Sequence, residues 1–571
     1  MIPKPPSCQG CPMYGDGLGF VPDRLVADAP VAILAQNPGE DEEKGRRLVQ
    51  YVGRDKVYES VTPQPLIGTT GYTLEKTYLP LAGLTREKVS YLNVLKCREV
   101  VNGKHTNKLP SGERYRQAVE QCTTAHLVMP RGARLVVAHG GPAWDVTQQS
   151  GGVGDVQVAR PISEWRGYTG ADYRWHNICN EMGQWPVLAT LHTASLFRSP
   201  KMKQAAMADW RKIPRILAGT WPQALPAFVQ CPSDVSLREL TLVLPTMFAR
   251  VPRVALDTEY FYDPEAVPGE HKLSVIGVGG KDHDGQWVGF QVDCRLCGDT
   301  EVSDFILHGL RPAIFNVHPV IFQNAGADIP VLAWNAGAKL GGFNSVRHIE
   351  DLLLLHADLY SEQPHDLEYL ASVYGEFPHT KHYLRTDLLK RNLGDVLETY
   401  VAFEKLEKEA LLDKRVWQCY RERVQLIKLH TRATQVGLAV NQAMVTRLLR
   451  EEIGTLKEAL LMGRAYAGWP ISLGSCGPQG QLATVLYKYL KLPAQRDRTT
   501  KNLSVGKDAL AVLRRHVGVA PDPEKEDRDG LTVAEALERV EQGANPLLEA
   551  RTVYAAVVQE IGHFLAPLVE G

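Results

Sequence analysis

The sequence predicts two successive α/β domains followed by an all-helical segment, and three observations lead there. Apolar strands that end in small or polar residues alternate with helix-length stretches over residues 1–217. A Pro-rich, aperiodic run, "AGTWPQALPAFVQCPSD" from Ala218, then breaks the pattern. Beyond Val416 the apolar spacing is wholly helical. The boundaries that follow are a first domain over 1–217, a linker over 218–236, a second domain over 237–415 and a helical segment over 416–571. A chain of 571 residues exceeds what one hydrophobic core can hold, so several domains are expected.

Bulk properties narrow the class. Hydrophobic residues at 44% and charged residues at 23% are ordinary for a folded globular chain. Lys and Arg number 64 against 65 Asp and Glu, a net charge of -1, so positive charge for a polyanionic partner must be local. No apolar run reaches membrane-span length and "MIPKPPSCQG" lacks a secretory apolar stretch, which predicts a cytoplasmic protein with no membrane contact. In that compartment the ten cysteines are expected to be ligands or buried thiols rather than disulfides.

In the first domain the strands read "VAILAQNPGED" from Val31, "VSYLNVLKC" from Val89, "ARLVVAHGG" from Ala133 and "WPVLATLH" from Trp185. The pair Cys8 and Cys11 in "CQGC", with the distant Cys97 and Cys122, offers four thiols. Four thiolates suit zinc or an iron–sulfur cluster equally well by spacing alone. The pieces "CQGCPMYGDGLGFVP", "AILAQNPGEDEE", "PLIGTTGYTLEKTYLPLAGLTREKV", "NVLKCR" and "LHTASLFRSP", in that order, resemble family 4 uracil-DNA glycosylases. The resemblance implies the glycosylase α/β fold and a structural [4Fe-4S] cluster on Cys8, Cys11, Cys97 and Cys122.

Such enzymes extrude a base and read its edge in a pocket. By resemblance the loop Gln36-Asn37-Pro38-Gly39 positions the attacking water, Asn93 reads the uracil edge, and His192 stabilises charge at its O2. Leu196 or Phe197 would enter the vacated stack. The chain departs from the family in four ways: Gln36 stands for Glu, Leu66 for a base-stacking Phe, Thr193 for Pro, and "RRLVQYVGRDKVYESVTPQ" is inserted between two pieces of the pocket. Asn37 resembles the Asn-Pro-Gly amide of mismatch-type glycosylases.

In the second domain "ALDTEY" places Asp257 and Glu259 on one face of a strand whose flank, "RVAL", reads as buried. Two buried carboxylates call for a neutralising cation. With Asp328 in "FQNAGADIPVL" and Asp395 in "RNLGDVLETYVAFEKL", the ordered set resembles the DEDD 3′–5′ exonucleases, specifically the proofreading domain of family A DNA polymerases. The resemblance implies a ribonuclease H-like α/β fold and two Mg²⁺ (or Mn²⁺) ions held by Asp257, Glu259, Asp328 and Asp395. Thr258, or Gln323 and Asn324, would contact the terminal nucleotide. The family's Tyr four residues before the last Asp is Arg391 here, with Tyr383 a candidate substitute. Cys294 and Cys297 form a second Cys-x2-Cys without visible partners and read as ordinary thiols.

From Val416 the chain resembles the start of a family A polymerase thumb. "QRDRTTKNLSVGKDAL" carries Arg496, Arg498, Lys501 and Lys507, placed to grip DNA phosphates. Neither palm nor fingers motifs follow, so the chain is expected not to polymerise alone and to be a truncation or the partner of a separate palm-and-fingers chain or another replisome protein. The expected function is a DNA replication and repair enzyme: a metal-dependent 3′–5′ proofreading exonuclease with a glycosylase-like module. Its DNA partners would be single-stranded 3′ ends, primer–template and uracil-containing DNA. The rival expectation is a DNA-binding scaffold with an inactive glycosylase module.

Overall fold

The computed structural model describes residues 2–101, 104–107, 109–149, 162–168, 174–175, 185–261, 271–337, 346–380, 383, 386–436, 442–467, 472–473, 481–496, 503–504, 509–510, 512–513, 532–542 and 544–561. Residues 1–436 cluster as one unit and 437–571 as another.

The first unit contains two large sheets. In the first, the strands Val89–Asn93, Val31–Ala35, Leu135–His139 and Trp185–Thr190 lie side by side in that order, all parallel, with Arg174–Trp175 antiparallel at the far edge. Every residue of Val31–Ala35 and Leu135–His139 is buried, because helices cover both faces of a parallel sheet. The register pairs Ala35 with Asn93 and His139 with Thr190, which brings the polar strand ends to one edge. Ligands in such folds bind beyond the carboxyl ends of the strands.

The insertion after Lys44 forms a self-contained hairpin, Arg46–Val52 against Asp55–Ser60. Its two ends meet where the Val61 amide donates to the Gly45 carbonyl at 2.8 Å. The added residues therefore leave the chain where they took it up. Glu42 accepts from the Leu66 amide at 2.7 Å and Arg86 donates to the Leu66 carbonyl at 2.8 Å, so the segments that the insertion separates in sequence are joined in space.

The second sheet begins as a meander, Val254–Tyr260, Leu273–Lys281 and Trp287–Asp293, and extends to Pro319–Phe322 and His348–Asp351 in parallel. Val229–Cys231, inside the expected linker, adds a parallel edge strand beside Trp287–Asp293. The helix Leu388–Ala410, capped by Asp387, lies across this sheet and buries Asn392, Val396, Leu397, Tyr400 and Phe403.

A buried polar seam joins the two sheets. Arg166 bonds Asp209 at 2.7 Å and donates to the Ser372 hydroxyl at 2.6 Å, while Lys212 donates to the carbonyls of Gly167 and Ser372. Burial lowers the Lys212 pKa to about 7. The Trp165 and His379 rings lie 4.4 Å apart on the same seam.

The second unit is described as helices, chiefly Gln442–Ala467, Val533–Glu541 and Pro546–Glu560, around Leu473, Leu482, Leu486, Leu547 and Leu548. Arg496 is exposed and bridges Leu503; Arg498, Lys501 and Lys507 lie outside the described residues. Among the described residues no helix is long and apolar enough to cross a membrane.

Candidate functional site

Three constellations emerge. At the polar edge of the first sheet, Asn93 ends its strand in a buried position; its amide N–H donates to Asp23 at 3.1 Å and its carbonyl accepts from Lys96 at 2.6 Å. Its side-chain Nδ2 is buried with no hydrogen-bond partner, and so is the Oδ1 of Asn37 in the neighbouring loop. An unsatisfied buried amide costs about 1–3 kcal/mol, so two at one sheet edge mark a place where ligand or solvent completes the bonding. Gln36 is tied in by its backbone, whose carbonyl accepts from Leu95 at 2.9 Å.

His192 caps the short helix Thr193–Leu196, its Nδ1 accepting from the Ala194 amide at 3.3 Å. Burial, then Arg198, lowers its pKa to about 4, so the ring is neutral at physiological pH. With Nδ1 accepting, the ring proton sits on Nε2, which is left as a donor. Sequence reasoning missed His139, whose ring lies against that of His192 at a tilt of 33°, with centroids 4.5 Å apart. Its Nε2 accepts from the Thr193 amide at 3.1 Å. A proline at 193 could not make that bond, so this departure has a structural use. A polar residue closing the buried strand "LVVAH" was the available signal.

Leu66 is buried in the core with a left-handed backbone, φ 55°. Leu196 is 2% exposed and Phe197 51% exposed. Entry of Leu196 into a base stack would require unpacking it from the core, so Phe197 is the member of that pair with freedom to act.

The four thiols Cys8, Cys11, Cys97 and Cys122 line one cavity, together with Lys4, Lys96 and His126. Burial raises the thiol pKa of Cys97 to about 11 and of Cys122 to about 12, with neighbouring sulfurs adding to it. Lys4 holds the loop through the carbonyls of Met13 and Tyr14 at 2.8 and 2.7 Å, and His126 Nε2 is 3.2 Å from the Cys8 sulfur. Neither contact was anticipated.

In the second sheet the ligand oxygens of Asp257, Glu259 and Asp395 all lie within 4.8 Å of one another. Asp328, on the first turn of the helix Ala325–Asn335, is turned toward the strand and accepts from the Thr258 amide at 3.0 Å and hydroxyl at 2.7 Å. Burial, followed by the charges of Asp395, Asp328 and Glu259, pushes the Asp257 carboxyl well above the usual range. Thr258 is thus committed to Asp328. The exposed Asn324 has φ 76° and no side-chain cap bond, Gln323 donates to the His365 carbonyl at 3.2 Å, and the Tyr383 hydroxyl accepts from Lys390 at 2.7 Å.

Asn392 was also missed, although it lies three residues before Asp395 on the same helix face. Its Nδ2 donates to Asp257 Oδ2 at 2.8 Å, and its Oδ1 accepts from Gln291 at 3.0 Å. Gly277, opposite Asp257 in the sheet, makes room: a Cβ there would stand 2.0 Å from Asn392 Oδ1. Arg391 Nε stands 2.8 Å from Glu259 Oε1 and 3.5 Å from Asp395 Oδ2. Cys294 and Cys297 remain free thiols, with the sulfur of Cys231 beside Cys297.

Comparison with known families bears on the first of these regions. Residues 22–212 match the uracil DNA glycosylase superfamily. The match spans the parallel sheet, its polar edge and His192. No curated protein sequence matches the chain. Among solved structures, the chain is similar to the POL domain of Pol1 from M. smegmatis in complex with DNA primer-template and dNTP. That likeness has a TM-score of 0.35 and 16% identity, over 56% of this chain and 47% of that one, so the chain spans about half of its length.

Proposed function

We propose that the chain is a DNA-processing enzyme in which the second sheet carries a metal-dependent 3′–5′ exonuclease and the first a glycosylase-type site. The observation that carries the exonuclease reading is the convergence of Asp395, on a distant helix, with Asp257 and Glu259 within 4.8 Å. Oxygen-only donors at that spacing suit Mg²⁺ or Mn²⁺. Asp257, Glu259 and Asp395 would hold the first cation, and Asp328 would complete the box. The bound ions supply an activated water and neutralise a scissile phosphate. The chain's own part is to orient the box: Asn392 fixes Asp257 and Thr258 fixes Asp328.

The superfamily match over residues 22–212 and the polar groups at the sheet edge support the glycosylase-type site. The free Nδ2 of Asn93 would read a uracil carbonyl, the neutral His192 would donate from Nε2 to the departing base, and the Oδ1 of Asn37 would accept from a water. Phe197 would enter the gap left by the extruded base.

The four thiols that line one cavity support a [4Fe-4S] cluster there, the group that the family 4 resemblance implies. Cys8, Cys11, Cys97 and Cys122 would hold the cluster as a brace between the N-terminal loop and the sheet.

A 3′-labelled single strand incubated with the native chain in Mg²⁺ tests the main reading. Nucleotides are expected to leave the 3′ end and to stop leaving in EDTA; no Mg²⁺-dependent release rejects it. Uracil-containing strand treated in EDTA and then alkali tests the other site separately. Breaks at uracil are expected, and retention of the strand without breaks would favour the scaffold reading, for which the buried Leu66 speaks.

A further inference from the structure

We propose that Arg391 is a tethered counter-ion of the carboxylate box, which a divalent cation must displace from Glu259 and Asp395 before binding. The inference rests on the exonuclease reading above. The guanidinium Nε sits 2.8 Å from Glu259 Oε1 and 3.5 Å from Asp395 Oδ2, and these two residues belong to the trio that closes within 4.8 Å. The contacted carboxylates are therefore the ones a metal ion would take. Guanidinium cannot shed its charge at any pH the protein survives, so the competition is permanent.

Two kinds of group contact the four carboxylates. Asp257 is held by the neutral amide of Asn392 and Asp328 by the neutral Thr258, and neither donor needs to leave when a cation arrives. Glu259 and Asp395 face, at ion-pair distance, a full positive charge one helical turn from Asp395, and its field reaches Asp257 as well. Two cations at contact distance from the same carboxylates repel each other, so metal entry requires the guanidinium to swing away. Its side chain retains 20% exposure, which leaves a path outward. The arrangement keeps an acidic box folded without metal and raises the metal concentration at which the box fills.

The test is Mn²⁺ binding to the full-length native chain, R391Q and R391K, read by the electron paramagnetic resonance of free Mn²⁺, with D257A identifying binding at this site. R391Q is expected to bind on the order of tenfold more tightly than the native chain, and R391K, which keeps the charge, to stay near the native affinity. In EDTA R391Q is expected to melt below the native chain, and saturating Mn²⁺ to close the gap. If R391Q unfolds in EDTA, recovery on adding Mn²⁺ is the same result read by circular dichroism, and failure to recover overturns the inference. Equal or weaker Mn²⁺ binding by R391Q, with native binding that D257A abolishes, overturns the counter-ion role and leaves the metal box standing. No D257A-sensitive binding in any of the proteins removes the exonuclease reading itself.

Discussion

A Cβ placed on Gly140 would stand 2.9 Å from the Cβ of His192, closer than such carbons approach in folded proteins. Gly140 also has φ 105°, a region that L side chains rarely adopt. This bare position lets the end of one parallel strand press against the loop that carries His192. Gly140→Ala should displace the imidazole and slow uracil excision about 10- to 100-fold, since misplacement by an ångström costs that much. Counting alkali-labile breaks in uracil-containing single strand checks it; an unchanged rate would detach His192 from the chemistry.

The His192 pKa of about 4 lies below the unfolded value, so between about pH 6.5 and 4 the unfolded chain binds a proton that the folded chain refuses. Stability contributed by this neutral ring is present at pH 7 and is lost as pH falls through that window. His139, whose pKa is lowered well below its usual value by burial and then by His192, acts in the same direction. His192→Gln should therefore lose less stability than the native chain on acidification. Melting temperatures of both at pH 7 and pH 5 should show the gap moving in the variant's favour, whereas parallel curves would mean that the folded ring is protonated like an exposed one.

Gly277 gives Asn392 its place over Asp257, because a Cβ at 277 would overlap the amide oxygen at 2.0 Å. Gly277→Ala should cost about 1–3 kcal/mol through overpacking and free Asp257 from its donor. Denaturant unfolding in EDTA measures the first effect and Mn²⁺ titration the second, with weaker binding expected.

Anaerobically purified protein should carry about four iron and four sulfide per chain, and Cys122→Ser should lower both. Stoichiometric zinc in their place would assign the cavity to a single ion.

The parts of this molecule that were legible in its sequence are those with local signals. Apolar runs such as "VAILA" and "LVVAH" announced buried parallel strands, and the spacing of Asp257 and Glu259 announced one strand face. What the sequence hid depends on contacts between distant segments. Asn392 has no pattern of its own until Gly277 and Asp257 lie beneath it, and His139 resembles any strand-end residue until Thr193 donates to it. The seam of Arg166, Lys212 and Ser372 was invisible for the same reason. Leu196 and Phe197 were indistinguishable as neighbours; burial separates them.

The central claim is that the carboxylate box hydrolyses nucleotides from a 3′ end. Its most direct test is single-turnover digestion of a 3′-labelled strand in Mg²⁺ by the native chain and by Asp257→Ala, after circular dichroism shows both folded. The account predicts that the variant loses at least about 1,000-fold in rate, as expected when a ligand to the ions stabilising the transition state is removed. Digestion by Asp257→Ala at the native rate would contradict it.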